Sequence, residues 1–99
     1  VVMSSILANN ARSTLVVALS AAVTTAYVVS GDGFPTPTGD DWFPVVMGAG
    51  MDGIEICRCT ERSGSQLTLS RGEEDTAARA WPAGTPVEIR LTAAALFGV

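Results

Sequence analysis

Turn-forming residues recur about every ten positions along most of this chain, which leaves room only for short elements. Gly31-Asp32-Gly33-Phe34-Pro35-Thr36-Pro37-Thr38-Gly39-Asp40-Asp41 reads as a loop, and Gly48-Ala49-Gly50-Met51-Asp52-Gly53 reads as a turn. Arg62-Ser63-Gly64-Ser65, Arg71-Gly72-Glu73-Glu74-Asp75 and Ala83-Gly84-Thr85-Pro86 are further turns. The runs between them are apolar or alternate apolar with polar, as half-buried strands do. The clearest pair is Ile54 to Glu61 with Gln66 to Arg71, a hairpin about the Ser63-Gly64 turn. Leu67 and Leu69 alternate with polar neighbours. In the first strand Ile54 and Ile56 share one face while Cys57 and Cys59 share the other, so either both faces are covered or a bulge swaps them.

Upstream, Thr14–Leu19 and Thr24–Ser30 are rich in β-branched residues. They predict a hairpin about Ser20-Ala21-Ala22-Val23, with Leu15, Val17 and Leu19 on one face. The uncharged run from Ser13 to Gly31 can also be read as a signal peptide or a weak membrane span. A single preceding cation, Arg12, and the interruptions at Ser20, Thr24 and Thr25 fit those readings poorly. Trp42 to Met47 predicts a third strand, at an edge or bulged because Pro44 has no N–H to donate. Phe34 is expected to plug the end of the core. Thr76 to Trp81 reads as an irregular or helical connection, and Val87 to Thr92 as a last strand with Val87, Ile89 and Leu91 on one face. The expected fold is all-β: one domain over residues 1–99, a small antiparallel barrel or sandwich of five to six short strands. Residues 1–10 form an N-terminal arm and residues 93–99 a short C-terminal helix or tail.

Composition narrows function. The 99 residues are 47% hydrophobic and 16% charged with net charge -4, a globular balance whose high apolar share suits burial against neighbours. The cations Arg12, Arg58, Arg62, Arg71, Arg79 and Arg90 are scattered, which argues against nucleic acid as a partner. Histidine is absent, removing the usual general base and the commonest metal ligand. Cys57 and Cys59, two apart on an extended strand, are poorly placed for a disulfide, and two cysteines cannot close a structural zinc site. They read as small buried hydrophobes.

Asp32, Asp40, Asp41 and Asp52 lie in loops and Glu73-Glu74-Asp75 in a turn. Paired carboxylates can hydrolyse glycosides across a cleft, and oxygen ligands can hold calcium. Solvated turn residues are the plainer account, and no twelve-residue calcium loop or Gly-x-Ser-x-Gly elbow is present. The expectation is therefore a protein without enzymatic activity, cofactor or metal. Trp42, Phe43 and Trp81 serve either as core anchors or as exposed rings for a glycan or protein partner.

Several phrases resemble a known family: Ser13-Thr14-Leu15, Val28-Val29-Ser30-Gly31 running into Gly33-Phe34-Pro35, Gly53-Ile54-Glu55-Ile56, and Leu67-Thr68-Leu69 before Arg71-Gly72. Thr76-Ala77-Ala78-Arg79-Ala80-Trp81-Pro82-Ala83-Gly84-Thr85 and Val87-Glu88-Ile89-Arg90-Leu91-Thr92-Ala93 complete the set. Together they cover roughly Asn10 to Leu96 and resemble the leading module of tail-fibre and tail-appendage proteins of tailed bacteriophages. Cys57, Cys59 and Trp42-Phe43-Pro44 depart from that pattern. The resemblance implies a virion structural protein, a tail or head–tail adaptor or fibre-attachment component, working through contacts with other virion proteins in a symmetric multi-copy assembly. Alternatives are a capsid decoration protein and a host-glycan-binding module. On the structural reading neither nucleic acid nor membrane is a partner, the protein resides in the virion, and Trp42, Phe43, Arg71, Arg79 and Trp81 are its interface candidates.

Overall fold

The hairpin about Gly64-Ser65 is the longest regular feature of the computed structural model, which describes residues 11–51 and 53–90. Six strands follow in chain order: β1 (Arg12–Thr14), β2 (Thr25–Tyr27), β3 (Phe43–Met47), β4 (Glu55–Ser63), β5 (Gln66–Glu73) and β6 (Pro86–Glu88). They form one antiparallel sheet in the order β1-β6-β3-β4-β5-β2, curled into a half-barrel. No helix occurs among the described residues. The expected N-terminal arm, the C-terminal helix or tail and Leu91 of the last strand lie outside them.

The first two strands depart from the expected hairpin. Ser20 and Val23 do form a turn, Val23 N donating to Ser20 O at 3.3 Å. The flanking strands nevertheless pair elsewhere, β1 with β6 and β2 with β5, at opposite edges of the sheet. Among the described residues the edges meet at one bridge, Leu15 to Val28, where curling brings the sheet back on itself. Leu15 and Leu19 are buried, but Val17 is 52% exposed, because residues 16–18 bow outward between those two anchors. The apolar run from 13 to 31 is thus sheet and turn, and no helix among the described residues is long and apolar enough to cross a membrane.

Inward-facing residues alternate with outward ones, as strand geometry requires. Phe43, Val45 and Met47 of β3 lie across from Cys59, Cys57 and Glu55 of β4. Leu69 lies across from Cys59, Ala26 from Leu67, and Val87 from Met47. The cysteine face is therefore the inner one. Ile54 precedes the strand and is 45% exposed, while Ile56 is only half-buried, so neither of the expected arrangements is needed. Small cysteines beside large aromatics suit a narrow barrel interior. Phe34 caps that interior, its ring 6.0 Å from Phe43 at 30°.

Pro44 is tolerated for a local reason. β3 is an inner strand of the order, not an edge strand, but among the described residues β6 pairs only with its Val46 and Met47. Pro44 has Arg58 across from it on β4, and its missing donor costs no bond to the short β6.

Two bulges re-aim β4 and β5. Ile56 faces Glu73 and Arg58 faces Ser70, so an extra residue on β5 is absorbed in the interval holding Arg71 and Gly72. Gly72 has φ 61, the left-handed conformation that favours glycine and marks bulges of this kind. Arg71 and the Gly72 amide at this bulge both donate to the Glu55 carboxylate.

Candidate functional site

Glu55 is the one carboxylate at the inner end of β4, and its exposure is 0%. It continues the inward face of Cys57 and Cys59, where an unpaired charge would cost several kcal/mol, roughly, in desolvation. Six donors answer it. Oε1 accepts from Arg71 Nη2, the Arg79 amide and Trp81 Nε1, each at 3.0 Å. Oε2 accepts from Arg71 Nε at 2.7 Å, the Gly72 amide at 3.0 Å and the Cys57 thiol at 3.3 Å.

Burial pushes the Glu55 carboxyl pKa up. The hydrogen bonds from Arg71, Trp81, Arg79 and Gly72 outweigh that and bring it from 4.5 down to about 2. With both oxygens occupied and so little basicity, this carboxylate has no lone pair to offer a substrate. It is a structural anion. Burial and the neighbouring Glu55 charge raise the pKa of the Cys57 thiol, and burial brings that of Cys59 to about 12, so both free thiols stay protonated.

Arg71 is the complement. Its side chain is 6% exposed, and its donors reach five acceptors. Two are the Glu55 oxygens, one is the Arg79 carbonyl at 2.8 Å, and two are the carbonyls of Ser20 at 2.9 Å and Val23 at 2.5 Å. Only a guanidinium fork can span carbonyls on two loops while gripping a carboxylate in two places. Arg79 places its guanidinium 4.2 Å above the Trp81 ring.

Trp81 lies in the connection between β5 and β6, which is irregular as expected. It exchanges two backbone hydrogen bonds of 2.8 Å with Leu19. Its ring presses on Gly48, whose φ is 84 and where a Cβ would lie 2.4 Å from the ring. Gly48→Ala therefore combines overpacking with left-handed strain. It is expected to cost about 3 kcal/mol, read as a lowered urea midpoint with unchanged slope.

Three of the five sequence candidates, Arg71, Arg79 and Trp81, thus gather around Glu55. The other two do not join them. Trp42 is 1% exposed on the outer side of β3 beneath the Arg58 guanidinium, 4.4 Å from the ring centroid, and Phe43 is 0% exposed in the core. As placed, Phe43 and Trp81 are core anchors and Trp42 is covered by Arg58, so none of the three offers a ring face to a neighbour. The tryptophans were the residues on which glycan stacking rested, so that alternative loses its platform. Sequence reasoning passed over Glu55. Its signal was present, since it stands two and four residues before the cysteines and shares their face.

Part of the exposed apolar surface lies along the bridge between the sheet edges. Val16 N donates to Tyr27 O at 2.8 Å and Val29 N to Thr14 O at 3.0 Å on either side of Leu15 and Val28. Leu15 and Val28 point inward, so Val16, Tyr27 and Val29 point outward by strand alternation. Val16 is 51% exposed, Tyr27 49% and Val29 69%, with Val17 beside them. Val23, Met51 and Ile54 are also exposed, at 45%, 44% and 45%.

Among the described residues, no group of three or more His, Cys, Asp or Glu side chains could hold a metal ion. Asp52 lies outside them. No protein-family model matches the chain, and no curated protein matches it significantly.

Proposed function

We propose that this β domain is a structural subunit that works through protein–protein contact, and that it serves in the tail or at the head–tail joint of a tailed bacteriophage as an adaptor or fibre-attachment component. The observation that carries the contact reading is the apolar seam of Val16, Val17, Tyr27 and Val29 on a frame tied together by Glu55 and Arg71. The resemblance of the sequence phrases between Asn10 and Leu96 to tail modules supplies the phage assignment. A small domain carrying such a seam suits repeated, symmetric placement among neighbours. The capsid decoration alternative uses the same face and differs in copy number.

Two experiments test the proposal. Val16→Ser with Tyr27→Ser and Val29→Ser is expected to abolish self-association or partner binding in sedimentation while shifting the urea midpoint little, since these side chains are about half exposed or more. Loss of folding without any change in association per folded molecule would count against a contact face. Quantitative mass spectrometry of purified virions is expected to find the chain at the copy number of a tail ring. A number scaling with the capsid surface would favour decoration, and absence from particles would overturn the phage assignment.

A further inference from the structure

We infer that residues 16–24 form a strap that opens as one unit, with Arg71 as its latch. The segment joins the two edges of the sheet but contributes little to the interior: of residues 16–24 only Leu19 is buried, and 16–18 and 20–24 are exposed. Its attachments fall into two groups. Leu19 and Trp81 exchange two backbone bonds, and Thr24 O accepts from the Leu69 amide at 2.7 Å. Val16 N also donates to Tyr27 O at 2.8 Å, and the second group is Arg71, whose Nη1 holds the carbonyls of Ser20 and Val23 on both sides of the turn.

Arg71 reaches those carbonyls because Glu55 fixes the other side of the fork. The latch is thus built into the half-barrel, while the part it holds is a nearly core-free loop. Segments with few buried contacts open at lower free energy than the elements beneath them. β4 and β5 keep their pairing when the strap lifts, because their core partners Phe43, Val45, Leu67 and Leu69 lie elsewhere. Lifting frees the backbone N–H and C=O of Leu19 and Trp81, the two residues of an isolated bridge. Val16 and Val17 belong to both the strap and the apolar seam, so a partner seated on the seam would hold the strap down.

Native-state hydrogen exchange on the full chain tests it. In the wild type, the amides of Leu19, Val23 and Trp81 are expected to exchange through a common opening, about tenfold or more faster than protected amides at 57–67. Their rates should respond only weakly to low urea. Arg71→Lys retains the charge but not the fork, and is expected to speed the strap amides a further tenfold or so relative to 57–67, about the loss of one charge-assisted hydrogen bond. Strap and hairpin amides exchanging at one rate with one urea dependence in the wild type would overturn the inference. So would an Arg71→Lys protein in which both groups accelerate equally. Should that variant fail to fold, the wild-type comparison decides alone.

Discussion

Glu55→Ala is expected to bring the domain to the edge of unfolding at neutral pH, with a loss of about 3 to 5 kcal/mol. The substitution leaves the Arg71 guanidinium buried without its counter-ion, and it orphans the Trp81 indole N–H and the amides of Gly72 and Arg79. A domain of this length has roughly 5 to 15 kcal/mol of total stability, so the loss consumes much of it. Urea unfolding followed by tryptophan fluorescence measures it. A paired replacement separates charge from packing: Glu55→Leu with Arg71→Met removes both ions together and is expected to recover a large part of the loss, because no unpaired charge remains. A Glu55→Ala protein whose midpoint matches the wild type would mean that the cluster contributes nothing net.

Acid should undo the same contact. The folded Glu55 carboxyl has its pKa lowered from 4.5 to about 2, so between those values the unfolded chain binds the proton more tightly than the folded one. The stabilisation is complete above about pH 4.5, falls as pH drops through that window and is gone near pH 2. The shift corresponds to a contribution on the order of 3 kcal/mol. Stability measured by urea at a series of pH values is expected to decline steeply across the window in the wild type. The Glu55→Leu, Arg71→Met protein should lose that part of the decline, leaving what the exposed acids contribute. Equal pH dependence in both proteins would remove Glu55 as its source.

What the sequence made legible was local. The β4–β5 hairpin follows from alternation on Leu67 and Leu69 about a glycine turn, and the structure has it with a two-residue turn. The Ser20–Val23 turn and the placing of Phe34 over the core were readable for the same reason, since both depend on a few neighbouring residues. Sheet order was not. β1 pairs with β6 more than seventy positions away, and nothing in Arg12-Ser13-Thr14 distinguishes that partner from the nearer β2. Two short β-branched runs flanking a good turn look like a hairpin whether they pair along their length or touch at one bridge.

The site was half legible. Arg71, Arg79 and Trp81 stood out as residue types that favour interfaces, and they do converge, but on an interior carboxylate. Glu55 was obscured by its setting between two isoleucines, which left open which face of the strand is the inner one. Only the bulge at Arg71-Gly72, invisible to a period-two pattern, brings the arginine over the strand to meet it. The exposure of Val17 was hidden for a related reason, because a valine in an alternating run reads as inward until the bowing of residues 16–18 turns it out.

Carbon-detected NMR titration of the Glu55 side-chain carboxyl addresses the ionic tie on which the frame, the strap and the acid response all depend. The carboxyl resonance should hold its ionised shift down through pH 4 and move only as the pH nears 2, in step with the Trp81 indole proton that it accepts. A carboxyl that titrates in the ordinary range near 4.5, with the indole signal unmoved, would show that no such tie exists in solution.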